Sequence, residues 1–212
     1  MNSTLISKEE LLQRFPQAGE PSVIEDFLEM AEEDVLLFEG NVVLEDKYIG
    51  ALMPDREPDS GFVLLFDGDL TLDRLDWGDD SKGHLLFCTG TLTVGQIYFG
   101  DTGVVLVGGD LKADHIYLHH GDNGGILTVK GNLKASNMLV TTYFLADVDG
   151  RLEVEHLFVD STYASDVAKG HDAINIDEDF EMFVEAVRDG EEIDEDALFM
   201  ALCRGDEVFL PR

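Results

Sequence analysis

Histidines preceded by a carboxylate occur twice in the middle of the chain. Asp114 and His115 form the first pair, and Glu155 and His156 form the second. A carboxylate beside an imidazole can orient a general base or support a metal ligand. A face that carries these four side chains would suit a carbohydrate-active enzyme, and this is one hypothesis for the chain.

The spacing of the two pairs argues against that chemistry. If they lie two coils apart in a stacked array, His115 and His156 are separated by about 9 to 10 Å. This distance is too long for one metal ion and for direct proton transfer. His119 and His120 also fail as a metal site, because neighbouring strand residues point to opposite faces. No enzyme motif is present, so we expect no catalytic residue, no metal and no cofactor.

The elements that position these residues come from a repeat of about 20 residues. Five segments align on a glycine, and apolar residues recur two, four, seven and nine positions after it. The alternation breaks between the fourth and seventh positions, which predicts a bend between two short strands. Each glycine is expected where backbones approach closely or where φ is positive. The aligned glycines are Gly68, Gly90, Gly109, Gly131 and Gly150.

This repeat predicts a mainly β protein, a right-handed parallel β-solenoid of about six coils. Residues 36–165 are assigned to the solenoid within one continuous domain. Because exposed strand edges invite polymerisation, residues 1–35 are expected to form an N-terminal helical cap and residues 166–212 an acidic C-terminal helical cap. Within the second cap, helices are predicted from Asp177 to Asp189 and from about Asp194 to Arg204.

Charge is the extreme feature of the composition. The 212 residues include 45 Asp and Glu against 14 Lys and Arg, which gives a net charge of −31. Such a field repels nucleic acid and anionic membranes, whose recognition needs a basic surface. It attracts basic proteins and accelerates their association at low salt. A basic protein is therefore the expected partner, although solubility alone is an alternative reason for the charge.

The remaining signals place the chain in the cytoplasm. It has no apolar run long enough to span a membrane and no secretory leader at its start. Cys88 and Cys203 are too few for a disulfide framework and are expected to be buried reduced thiols. His84 and His171 stand alone beside turns, and we expect both on the surface.

The repeats VGGDLKADHIYL and VKGNLKASNMLV resemble those of the bactofilin family. The similarity covers about residues 60 to 160. It implies a β-helix that forms polymers and serves as a structural scaffold, and it implies no catalytic residues. The helical caps expected at both ends would block end-to-end stacking, so polymerisation is not carried over to this chain.

The leading functional hypothesis is an acidic binding protein with a rigid solenoid platform. One concrete form is a bacterial immunity protein or inhibitor that neutralises a basic toxin such as a nuclease. A bactofilin-like scaffold and a carbohydrate-active β-helix enzyme are the alternatives. The residues expected to bind the partner are Asp73, Asp76, Asp79, Asp80, Asp114, His115, Glu155, His156, Glu191, Glu192, Asp194 and Glu195.

Overall fold

Two sheets of mainly parallel strands face each other across an apolar interior in the computed structural model of the chain. Each coil contributes one strand to each sheet, and successive coils pair in parallel. The predicted parallel β-solenoid is therefore confirmed, whereas its handedness and its number of coils stay predictions. The structure describes residues 3–16, 35–48, 62–77, 82–99, 102–118, 125–141, 145–160, 172–176, 178–190 and 192–210.

Each sheet contains seven strands among the described residues. In spatial order, the first sheet consists of β1 (Thr4–Ile6), β2 (Val35–Glu39), β4 (Val63–Asp67), β6 (Lys82–Cys88), β8 (Thr102–Val107), β10 (Ile126–Val129) and β12 (Leu145–Val148). The second sheet consists, also in spatial order, of β14 (Ala173–Asn175), β13 (Leu152–Val159), β11 (Leu133–Val140), β9 (Leu111–Leu118), β7 (Leu92–Phe99), β5 (Leu70–Trp77) and β3 (Val42–Tyr48).

The apolar columns of the repeat fill the space between the sheets. In β5 the buried side changes from Leu72 to Leu75, and the paired register with β7 skips Asp73 and Gly95. This break in the alternation, which we call the bend, lies where the sequence predicted it. The expectation of two separate short strands is wrong, because β5 is one strand from Leu70 to Trp77. The alternation of inward and outward side chains therefore shifts by one residue at the bend.

The aligned glycines stack where the coils come closest together. Gly109 N–H donates to Gly90 O at 2.9 Å, and Gly131 N–H donates to Gly109 O at 2.9 Å. A Cβ built on Gly109 would lie 2.7 Å from Gly90 O, which is shorter than side chains tolerate. Close approach is thus the reason for glycine at this position, while Gly68 also has a positive φ of 153°.

The N-terminal helix α1 (Lys8–Arg14) packs on the outer face of the first sheet. Its Leu11 and the following Phe15 are buried together with outward residues of the sheet such as Leu65 and Phe87. Strand β1 pairs antiparallel with β2 and covers the first edge of this sheet. At this edge a strand therefore covers the coil where a helix was expected, and helical capping at both ends is not confirmed.

The prediction of a helix from Asp177 to Asp189 is wrong for the residues that the structure describes. Two 3-10 turns, Phe180–Met182 and Glu185–Val187, are followed by β15 (Arg188–Asp189), which pairs with β16 (Glu192–Ile193). The backbone bonds instead to the C-terminal residues: Val184 N–H donates to Val208 O, and Leu210 N–H donates to Met182 O. These tertiary hydrogen bonds outweigh the helical periodicity of the segment.

The helix predicted from about Asp194 to Arg204 is confirmed as α2 (Glu195–Arg204). Asp194 Oδ1 accepts a hydrogen bond from Ala197 N–H and caps its first turn. Gly205, with a φ of 71°, ends the helix in the left-handed conformation. Both termini thus follow the usual capping chemistry of helices.

Both cysteines are free. Cys88 is buried in the interior of the solenoid, and Cys203 is half-buried on α2. Burial raises the pKa of each thiol to about 11. The thiols therefore stay protonated and weakly nucleophilic at neutral pH.

His84 is buried, so the expectation of a surface position is wrong for this residue. It lies just before the inward column of β6, and its ring stacks on Phe62 with a centroid distance of 3.8 Å. Burial lowers the pKa of His84 to about 4. The neutral imidazole is therefore the form that packs at this corner of the solenoid. His171 lies outside the described residues.

Replacement of Gly109 by alanine should destabilise the protein by about 1–3 kcal/mol, because the new methyl group must displace the Gly90 carbonyl of the preceding coil. Chemical denaturation measures this change in the free energy of unfolding. Gly205→Asn is the control, since Gly205 has open space around it and asparagine tolerates a positive φ. Equal stabilities for the two variants would contradict the close-approach argument.

Replacement of His84 by phenylalanine should reduce the amount of stability that the protein loses between pH 7 and 4. The pKa of His84 is about 4 in the folded chain and about 6.5 when unfolded, so the unfolded chain takes up the proton first. Stability from the neutral ring is complete above about pH 6.5 and is lost as the pH falls towards 4. Between pH 7 and 4, the wild type should lose on the order of 2–3 kcal/mol more than the variant.

Denaturation at several pH values measures this difference, and the carboxylates that titrate in both proteins cancel from it. His156→Gln is the control, because His156 is exposed. If His84→Phe and the wild type lose stability in parallel, His84 does not titrate as its burial requires.

Candidate functional site

A column of polar side chains runs across the second sheet just after the bend. Its members occupy the sixth position after each aligned glycine and lie in register on adjacent strands. They are half-buried or exposed and face away from the apolar interior. The column consists of Arg74, Gln96, His115, Asn137 and His156.

Three members of this column form a hydrogen-bonded chain, which we call the histidine ladder: His115, Asn137 and His156. The Asn137 amide N–H group donates to His115 Nδ1 at 3.0 Å, and His156 Nδ1 donates to Asn137 Oδ1 at 3.2 Å. The two predicted histidines are therefore connected, but through an amide. An amide between them does not relay a proton as an acid–base pair would.

The ladder favours one protonation state of His115. Its Nδ1 accepts a hydrogen bond, so the ring proton lies on Nε2 and the imidazole is neutral. Burial lowers the pKa of His115, and the nearby charge of Asp114 partly opposes that shift. At neutral pH the His115 imidazole therefore acts as a neutral hydrogen-bonding group. Among the described residues, no cluster of three or more His, Cys, Asp or Glu side chains could hold a metal ion.

Carboxylates lie beside the ladder at the fifth position, on the bend itself. Asp73, Asp114 and Glu155 are all exposed there. Asp114 and Glu155 make no ion pair with any basic side chain that the structure describes. We call these three residues the acidic strip. Its charge faces solvent, where a cationic partner can reach it.

Two of the other predicted site residues have structural partners. Asp76 is half-buried and forms an ion pair with Arg74 at 2.6 Å. Glu195 accepts a hydrogen bond from the Tyr117 hydroxyl at 3.0 Å. Burial, together with the charge of Glu195, raises the pKa of Tyr117. These carboxylates therefore hold parts of the fold together and contribute less to a free binding surface.

The C-terminal segment covers the outer face of the second sheet next to the column. Tyr117, Leu139 and Phe158 point outward from β9, β11 and β13 and are buried under residues such as Phe183 and Phe199. The first turn of α2 lies over β9, where Glu195 accepts a hydrogen bond from the Tyr117 hydroxyl, two residues after His115. Asp194 caps that terminus, and Glu192 is exposed on β16 nearby in sequence.

The structure thus brings six predicted residues onto one side of the second sheet: Asp73, Asp76, Asp114, His115, Glu155 and His156. Asp79, Asp80 and Glu191 lie outside the described residues. Sequence reasoning missed the role of Asn137, whose amide bridges His115 and His156.

Sequence reasoning also missed the two tyrosines that anchor α2. The Tyr98 hydroxyl donates to Asp196 Oδ1 at 3.4 Å, and the Tyr117 hydroxyl donates to Glu195. The signal for the anchor was an aromatic residue at an outward position of consecutive coils. Such a pair, Tyr98 and Tyr117, predicts a covering segment.

Known proteins do not identify the chain. Comparison with protein-family models, characterised proteins and solved structures finds no match in any of the three. No helix in the described ranges is long and apolar enough to cross a membrane.

Proposed function

We propose that the chain is an acidic binding protein whose partner is a basic protein. The observation that carries the proposal is the acidic strip, in which Asp114 and Glu155 are exposed and have no cation beside them among the described residues. Exposed carboxylates on a chain with a net charge of −31 produce a field that steers a cationic protein towards them.

The geometry beside the strip suits protein recognition. The histidine ladder supplies hydrogen-bond donors and acceptors in a fixed row, and parallel strands hold that row in place. Charge complementarity raises the association rate, while directed hydrogen bonds add specificity. Both kinds of group lie on the same side of the second sheet, so one partner surface can contact them together.

A concrete form of this function is an immunity protein or inhibitor in the bacterial cytoplasm. A nuclease toxin binds phosphates through Lys and Arg, so its active site is a basic surface. A rigid acidic face would occupy that surface and exclude the nucleic acid. The charge of the chain and its exposed carboxylates support this version.

The proposal includes a closed solenoid. About six right-handed coils would form a discrete body, with segments 1–35 and 166–212 closing its ends, the first of them through β1. A closed body presents its side faces to a partner and cannot stack end to end. This architecture suits a one-to-one complex.

Removal of charge from the acidic strip should weaken partner binding far more than removal of the same charge elsewhere. The test variant is Asp114→Asn with Glu155→Gln, and the matched control is Glu9→Gln with Asp147→Asn. Glu9 and Asp147 are exposed on α1 and β12, on the side of the first sheet. We expect at least about tenfold weaker binding for the test pair, because two close charge contacts are lost.

The partner is recovered by low-salt affinity purification from the source cells, and its affinity for each purified variant is then measured at two salt concentrations. Binding should weaken as salt rises, because salt screens the steering field. Recovery of no basic protein at low salt would contradict the proposal. Equal weakening by the test and control pairs would show that net charge acts without a defined site.

A structural scaffold is the alternative, and one feature favours it. Strand β12 pairs with β10 and, within the described residues, with no strand on its other side. An unpaired strand edge can add another chain, as bactofilin-like polymers would require. Light scattering over increasing protein concentration separates the two functions. A closed binding protein should stay monodisperse, whereas a scaffold should grow in mass with concentration.

A further inference from the structure

A groove of about 420 Å³ lies on the second sheet before the bend. Its lining carries three basic residues, Lys112, Lys134 and Arg151, against two carboxylates, Asp110 and Glu153. Its volume is in the range of pockets that bind small molecules. The polar residues that line the groove occupy the first and third positions after each aligned glycine. The histidine ladder and the acidic strip use the fifth and sixth positions, beyond the bend, so the groove is a separate site.

The three cations of the groove have no ion-pair partner among the described residues. Other cations on the same chain do have one, since Arg74 pairs with Asp76 and Lys130 pairs with Asp149. Carboxylates outnumber basic residues 45 to 14 along the chain. Three unpaired cations that line one groove are therefore unusual in this protein.

Two of these cations occupy paired positions on neighbouring strands. Lys134 is directly in register with Lys112 on the neighbouring strand, and both side chains are exposed. Like charges at directly paired positions destabilise a sheet. Glu153 is in register with Lys134 on its other side, but the two form no ion pair among the described residues. An anion bound between Lys112 and Lys134 would remove their repulsion.

The floor of the groove is held rigid by hydrogen bonds across three coils. Asp110 Oδ1 accepts from the backbone N–H of Asn132 at 2.8 Å and from its side-chain amide at 3.1 Å. Asn132 Oδ1 in turn accepts from Arg151 N–H at 3.0 Å. These bonds fix the spacing of the three strands that carry the cations, and they hold Asp110 Oδ1 against Asn132 of the next coil.

We propose that this groove binds a small ligand that carries phosphate groups. Lysines on adjacent strands stand about 4.8 Å apart, a spacing that can contact two neighbouring phosphate groups. Arg151 adds a planar guanidinium that pairs with oxyanions through two hydrogen bonds. A long polyanion such as nucleic acid is disfavoured, because the net charge of −31 repels it beyond the groove. A compact ligand contacts only the groove, where three cations outnumber the carboxylates of Asp110 and Glu153.

The test uses inorganic pyrophosphate as the probe and the full chain as the protein. Isothermal titration calorimetry at constant ionic strength should show saturable binding with one ligand per chain, and succinate should bind more weakly. Lys112→Gln and Lys134→Gln should each weaken pyrophosphate binding by about tenfold or more, because each removes a charge-assisted contact.

Lys130→Gln is the matched control. Lys130 lies close in sequence and carries the same charge, but it already pairs with Asp149 and does not line the groove. This variant should bind pyrophosphate within about twofold of the wild type, since no contact is lost. Absence of saturation, equal binding of succinate, or equal effects of the three variants would overturn the proposal. None of these outcomes depends on the basic protein partner.

Discussion

The close approach of successive coils at the glycine column is the constraint on which the rest of the structure depends. Backbone hydrogen bonds between Gly90, Gly109 and Gly131 join each coil to the next at about 3 Å, and no side chain fits between them. This contact fixes where each coil begins relative to its neighbours. Every later position in the repeat then stacks in register, from the inward leucines to the outward polar residues.

The register between successive coils brings residues that repeat in the sequence together on one surface. Residues about 20 positions apart become neighbours at the spacing of paired strands, so the side chains of one column form a row. The histidine ladder and the paired lysines Lys112 and Lys134 are both rows of this kind. The bend after the fourth position separates them. One strand can therefore contribute Lys112 to a cationic groove and Asp114 to the acidic strip without the two charges sharing a face.

The features that the sequence predicted are those that the period alone determines. The parallel solenoid, the bend and the close approach at the glycines all follow from residues that repeat, and α2 follows from local capping at Asp194 and Gly205. What the sequence could not predict depends on contacts between distant segments. Residues 178–189 lose their helical pattern because their backbone pairs with residues 208–210.

The positions of the flanking segments have a similar cause. The outer faces of both sheets carry apolar residues at alternate positions, such as Leu65 in β4 and Tyr117 in β9. Apolar side chains on an outward face need a cover, which α1 and α2 supply from the sides. The periodicity of the coils marks these residues as outward but does not say which segment covers them. Covered side faces also leave a limited exposed area, so the acidic strip and the groove lie on the part of the second sheet where polar columns take the place of apolar ones.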